Sequence, residues 1–259
     1  MLMTSMQDAS KLTQIELVDR VVVLARTLDA SIGVESSAGA LDRECAGDTY
    51  IGQALYEHRT TFRDASPTPA WSHLELTYFR DFVPVGVIRR LVLEAQEGLK
   101  LLRAEILVTT PSSFVLPRGW RGSRHRPEWQ ASLEYIEVQP RFLAEYRDVM
   151  QSYCGPAAAQ LVRTGRLGTF RAMETVAVLH QDPGVAIAWN QLHLSEFDPT
   201  GFGGFGREFE AAIRELSPND TTSPGVFADL DRLRVVGRWT FNHAVIEDDE
   251  ALAGERASR

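Results

Sequence analysis

Ala70-Trp71-Ser72-His73-Leu74-Glu75-Leu76 returns as Ala188-Trp189-Asn190-Gln191-Leu192-His193-Leu194, with Trp71 and Trp189 separated by 118 residues. Phe79 and Phe197 keep the same register. A match at a domain-sized interval reads as duplication of a whole folding unit. The positions where the copies differ are then the places to look for chemistry: His73 becomes Gln191, and Glu75 becomes His193.

Both stretches alternate like strands, and neighbouring side chains on a strand point to opposite faces. In the first copy Leu74, Leu76 and Tyr78 share one face, and Trp71, His73, Glu75, Thr77 and Phe79 the other. In the second copy Leu192 and Leu194 are opposed by Trp189, Gln191, His193, Ser195 and Phe197. The leucine faces suit burial beneath helices. The mixed faces, with apolar walls and a few polar groups, have the composition of a small-molecule site.

Outward from these stretches the periodicity gives an element order. In the first half it predicts a helix over Lys11–Ala30, strands over Tyr50–Phe62 and Trp71–Phe79, a helix over Val83–Gly98 and a strand over Leu101–Thr110. Ser66-Pro67-Thr68-Pro69 divides the two strands. The second half opens with a strand over Ser132–Val138 and a helix over Pro140–Tyr153 that stops at Gly155-Pro156. Strands over Thr169–His180 and Val185–Phe197, a helix over Phe202–Leu216 and a strand over Leu233–Ile246 follow. The order is β-α-β-β-α-β, complete in the second half and lacking a convincing opening strand in the first. That is the ferredoxin-like motif, one antiparallel sheet with helices on one face. The expected class is α+β, with two such units. Repeats at 1–115 and 131–247 flank a basic segment at 116–130, and a charged, flexible tail occupies 248–259.

This order, together with the repeated Ala-Trp-x-x-Leu-x-Leu stretch, resembles the dimeric α/β barrel superfamily over Lys11–Ile246. Tandem members of that group join two units into a pseudo-dimeric barrel and enclose a cavity between the sheets. The resemblance implies fold more than chemistry, because members include oxygenases, haem proteins, cyclases, dehydratases and stress proteins. It also implies that haem, where bound, takes its axial His from a helix. None of the four long predicted helices contains a His.

Composition narrows the partners. A chain of 259 residues with 44% hydrophobic content can build one large or two small cores. A net charge of −8 argues against nucleic acid. The start, MLMTSMQDASKLTQ, has no signal-like apolar segment, and no run approaches the ~20 apolar residues of a membrane span. Cys45 and Cys154 suggest a reducing cytoplasm without disulfides. Because the duplicated chain supplies its own partner sheet, a monomer or homodimer is expected.

Within the expected cavity, His73 and Glu75 form a candidate general-base pair, with His193 as the complementary acid or, with Gln191, an oxyanion stabiliser. Trp71, Trp189, Gln191, Arg171 and His243 are candidate substrate-binding residues, Arg171 as a clamp if its face is inward. The basic run Arg118-Gly119-Trp120-Arg121-Gly122-Ser123-Arg124-His125-Arg126-Pro127 is a linker, or a lid presenting guanidinium groups to an anion. Gly201–Gly206 lacks the lysine and the context of a phosphate loop and reads as a flexible turn. The preferred reading is an enzyme of specialised metabolism acting on a small hydrophobic or aromatic substrate without a resident cofactor. Cyclisation, isomerisation, dehydration and cofactor-independent oxygenation all suit it, and no metal is assigned. The alternatives are a haem or non-haem iron oxygenase or dehydratase, since two His and one Glu also make an iron ligand set, and a non-catalytic ligand-binding or stress protein.

Overall fold

A computed structural model describes residues 13–17, 21–30, 49–64, 71–84, 86–88, 92, 99–123, 126, 128–183, 188–198, 202–216 and 226–246. Its nine strands are β1 (Ile15–Leu17), β2 (Val22–Ala30), β3 (Tyr50–Asp64), β4 (His73–Phe79), β5 (Leu99–Pro117), β6 (Gln130–Val138), β7 (Thr169–Gln181), β8 (Gln191–Phe197) and β9 (Arg234–Ala244). The sheet order is β1-β5-β2-β4-β3-β9-β6-β8-β7, and β7 pairs back onto β5. Eight strands therefore close into an antiparallel barrel, with β1 laid on the end of β5. Closure leaves the eight barrel strands without a free edge. Within each half the strands lie in the order fourth, first, third, second: β5-β2-β4-β3, then β9-β6-β8-β7.

Four helices of the second half pack outside the barrel: α1 (Leu143–Val149), α2 (Gly155–Arg163), α3 (Phe205–Leu216) and α4 (Val226–Leu233). Phe209, Ala212 and Ile213 make the buried stripe of α3, and Val226, Leu230 and Leu233 that of α4, at the spacing of an amphipathic helix. A 3₁₀ turn at Pro140–Phe142 leads into α1, and a π-helical turn at Met150–Cys154 joins α1 to α2. The expected stop at Gly155-Pro156 is thus a widened turn instead. A proline ring clashes with the carbonyl four residues back and offers no N–H, and a π-turn is one way to carry a helix past it. Gly155 has a second task, because a Cβ there would lie 2.1 Å from the carbonyl oxygen of Ser112 on β5.

The helix expected over Lys11–Ala30 is a correction. Residues 13–30, where described, form β1 and β2. Val21 to Leu28 are all buried, so β2 is covered on both faces and shows no alternation for a sequence reading to detect. The strand expected at Val185 begins at Gln191, and α4 was not anticipated at all. Of Val83–Gly98, residues 86–88 and 92 are helical. The remainder of that helix after Pro84, the Ser66–Pro69 divider, Cys45 and the tail lie outside the described residues.

The expected strand faces are inverted. One apolar cluster fills the barrel, drawing Val23, Leu76, Leu107, Leu133, Met173 and Leu194 from both halves. Phe79 belongs to a second cluster with Val22, Leu24 and Ile88, and Phe197 to a third beneath α1–α4. The leucine faces therefore point inward and the mixed faces outward toward the helices. An eight-stranded barrel has an interior just wide enough to be filled by side chains, which favours branched and aromatic residues there. Among the described residues, no helix is long and apolar enough to cross a membrane.

Candidate functional site

Trp71 and Trp189 sit before the regular part of β4 and β8, after which bends at Ser72 and Asn190 turn the chain. Both indoles thus join the leucine face and meet inside the barrel, with ring centroids 5.2 Å apart. Trp71 Nε1 donates to Tyr135 Oη at 3.0 Å, and Trp189 Nε1 to Glu105 at 2.8 Å. Arg238 covers Trp71, and Arg103 bridges Glu105 and the Trp189 carbonyl. The space expected to be a substrate cavity between the halves is packed by these groups.

Arg171 also faces inward, as a clamp would require, but its guanidinium is occupied. It donates to Tyr78 Oη and Tyr56 Oη, each at 2.6 Å, and to Ser123 Oγ at 3.2 Å, and it pairs with Glu196 at 3.1 Å. Tyr56 and Thr169 donate to the same carboxylate. Burial opposes the charge on Glu196, but Arg171 and the hydroxyl donors outweigh it and hold its pKa below the ordinary carboxylate value. Arg171 is fully buried, with Trp120 over its guanidinium. The described part of the basic segment is therefore docked on the barrel: Gly122 bridges Gln53, and Ser123 joins the Arg171 cluster. A cavity of about 650 Å³ opens beside it, lined by Trp120, Trp129, Ser123 and Glu196 among others.

The proposed meeting of His73, Glu75, Gln191 and His193 does not occur. β4 and β8 lie four strands apart in either direction around the eight-stranded barrel, on opposite walls. Their polar side chains point outward, away from one another. His73 Nδ1 contacts its neighbour Ser72 Oγ at 2.9 Å, and Glu75 pairs with Arg26 at 3.0 Å instead of with His73. Gln191 is fully buried on the outer face of β8, and His243 lies on the outward face of β9 with Trp239 and Phe241. The iron triad of His73, Glu75 and His193 is excluded by the same geometry. No group of three potential metal ligands occurs among the described residues.

His193 alone enters a pocket. A cavity of about 340 Å³ lies between the outer face of β6, β8 and β9 and the helices, walled by Phe170, Phe197, Phe205, Phe209, Phe227 and Trp239. His193, Glu134, Arg234, Ser195 and Cys154 add polar groups to its lining. Tyr146 on α1, buried, meets His193 Nε2 at 2.8 Å, while Glu134 stands 3.8 Å from Nδ1. A carboxylate only accepts, so the proton belongs on Nδ1 and the Tyr146 hydroxyl donates to Nε2. Burial, reinforced by the Arg234 guanidinium, holds the His193 pKa well below its ordinary value, and the ring is neutral near pH 7. Burial likewise raises the Tyr146 hydroxyl above its usual range and pushes the Cys154 thiol up to about 12.

Sequence reading singled out His193, though for a cavity between the halves, and did not single out Tyr146, Glu134, Arg234 or Cys154. One signal was available, since Glu134 and His193 are register partners on adjacent strands. Tyr146 and Cys154 stand on the helical stretch and Arg234 at the start of β9, and only the fold brings them to β8.

The sequence matches no family model and no curated protein. Solved structures similar to it include a dye-decolorizing protein from V. cholerae, with 9% identity over 96% of this chain and 99% of that one, and a TM-score of 0.47. Chlorite dismutase from Candidatus Nitrospira defluvii in complex with imidazole has 11% identity over 90% and 94%, with a TM-score of 0.44. A Rhodococcus jostii DypB variant in complex with heme has 8% identity over 92% and 96%, with a TM-score of 0.43. By its own strand order and closure, the chain has the dimeric α/β barrel fold.

Proposed function

We propose that the protein is an enzyme acting on a small hydrophobic or aromatic molecule bound beneath the helices of the second half, with His193 as its proton-transfer group. The observation that carries this reading is the Tyr146–His193 hydrogen bond of 2.8 Å beside an aromatic-walled pocket. A neutral imidazole whose Nδ1–H faces a carboxylate is oriented as a general base. Accepting a proton at Nε2 requires the Tyr146 hydroxyl to turn away or to relay the proton itself. Glu134 favours the imidazolium so formed and Arg234 opposes it, so the proton is held briefly and returned. The strand order repeated in the two halves supports a tandem of ferredoxin-like units at 1–115 and 131–247, with 116–130 as the connection across the barrel mouth.

A second reading, haem binding, is favoured by the same donor set. His193 would hold the iron, Glu134 would orient the imidazole through Nδ1, and Arg63 and Arg234, both in the pocket lining, would meet the haem carboxylates. Bound haem would supply redox chemistry at that position. This reading requires Tyr146 to leave Nε2, which is why it stands second.

Absorbance spectroscopy during addition of hemin to the purified chain separates the two. The first reading expects only a weak, non-saturating change, together with saturable quenching of Trp239 fluorescence by aromatic ligands that His193→Ala weakens. A saturable Soret band lost in His193→Ala and strengthened in Tyr146→Phe would overturn the first reading and establish the second.

A further inference from the structure

Resting on the reading of this pocket as a binding site, we propose that its ligand carries a carboxylate and that Arg234 is the residue that selects it. The proposal rests on the buried Nε–H of Arg234. Four arginines have a buried Nε–H without a hydrogen-bond acceptor among the described residues: Arg103, Arg171, Arg234 and Arg238. Three of them hold a carboxylate at 2.8 to 3.1 Å, namely Glu105, Glu196 and Asp64. Arg234 approaches Glu134 only to 3.5 Å and gives its other side-chain hydrogen bond to the Tyr146 hydroxyl, which leaves its Nε–H without an acceptor among the described residues. It also lines the pocket, whereas Arg103, Arg171 and Arg238 point into the filled barrel.

The other charges of the lining do not compete for an anion at this depth. Arg63 and Asp231 are exposed at the rim, where solvent screens them. Glu134 is shared between His193 and Arg234, and His193 is neutral. The inner part of the pocket therefore has one fixed cation, Arg234, whose Nε–H is buried without an acceptor among the described residues and whose charge Glu134 meets only at 3.5 Å, next to a wall of phenyl rings. A guanidinium fork matches a carboxylate in shape and charge. An aromatic or branched carboxylic acid fills both halves of this description, its body against Phe205, Phe209 and Phe227 and its carboxylate on Arg234. In that pose the atoms next to the carboxylate face His193, which suits proton transfer at the carbon beside an acid group.

The test compares acids with their neutral amides on the full chain. Quenching of tryptophan fluorescence is titrated with phenylacetate against phenylacetamide, and with 2-naphthoate against 2-naphthamide. The acids are expected to bind about tenfold tighter or more, the usual scale for a charge-assisted hydrogen bond. Arg234→Gln should bring the acids to the level of the amides while leaving amide binding within about twofold. If Arg234→Gln does not fold, Arg234→Lys retains the charge without the fork and should show a reduced preference. Equal binding of acid and amide by the natural chain, or a preference that survives Arg234→Gln, overturns the proposal while leaving the pocket reading intact. Absence of binding by both acids and amides overturns the two together.

Discussion

Tyr146 Oη and His193 Nε2 lie 2.8 Å apart, joining α1 to β8 across the layer that separates the helices from the barrel wall. The contact fixes the tautomer of a buried imidazole, and burial together with the Arg234 guanidinium makes stability depend on pH in a determinate direction. Because the folded pKa of His193 is depressed, the unfolded chain binds its proton first as pH falls. The stability of this neutral state is fully present above the unfolded value of about 6.5, and is lost as pH drops from there toward the folded value. Denaturant midpoints measured from pH 8 to pH 5 should fall, and His193→Gln should flatten that dependence. The lost slope is at most ~1.4 kcal/mol per pH unit for one group. His58 and His73, whose pKa values burial also lowers, leave a residual slope in the variant. An unchanged slope would mean that His193 is not held neutral.

The Arg171 cluster makes a second prediction, about folding and not chemistry. Arg171→Met removes the cation that Tyr56, Tyr78 and Glu196 share inside a closed barrel. The carboxylate then remains buried without its partner, and breaking such a pair costs about 3–5 kcal/mol. Adding Glu196→Gln should recover part of the loss, because the unpaired charge disappears. Urea midpoints of the two variants check the order: Arg171→Met lowest, the double variant intermediate.

The fold was legible where one face of a strand differs from the other, as in the repeated Trp71 and Trp189 stretches that became β4 and β8. It was not legible in β2, where burial on both sides erases alternation, or at Pro156, where a π-turn carries the helix past a residue that normally ends it. Strand parity sorted Leu74 from His73 correctly, but it contains nothing to say which face is inside. The assignment depended on whether helices or a closed barrel would take the leucines, and closure is a property of all eight strands together. His193 was singled out because it breaks the repeat. Tyr146 and Arg234 were not, since the pairings that matter join elements distant in sequence.

Gly168 tests how the barrel mouth is built. A Cβ at this position would stand 2.1 Å from Cζ3 of Trp129, so the indole lies directly against the glycine backbone. Gly168→Ala must displace Trp129, whose ring also carries the Arg126 guanidinium. A loss of about 1–3 kcal/mol is expected from overpacking. The fluorescence of Trp129, isolated by replacing the other tryptophans with Phe where the fold tolerates it, should shift to the red as the ring becomes wetter. Trp129→Leu should make Gly168→Ala nearly neutral if contact with this ring is the cause.

Cys154 links the pocket to an accessible chemical readout. Its thiol is buried, with the pKa pushed up to about 12 by burial and only partly offset by Arg234. At pH 8 the thiolate, which is the reactive form, is then about 10⁻⁴ of the total. In a Cys45→Ser background, iodoacetamide should leave the folded protein almost unmodified over an hour and label it rapidly in guanidinium chloride. Phe209→Ala removes part of the wall shared by the pocket and the helices, admitting water and reagent together. Labelling of Cys154 should accelerate at least tenfold in that variant, measured by intact mass, and an aromatic ligand that refills the pocket should slow it again. Rapid modification of the natural fold would show instead that the layer beneath α1 and α2 opens without ligand, and that the polar groups around His193 are not kept dry by these helices.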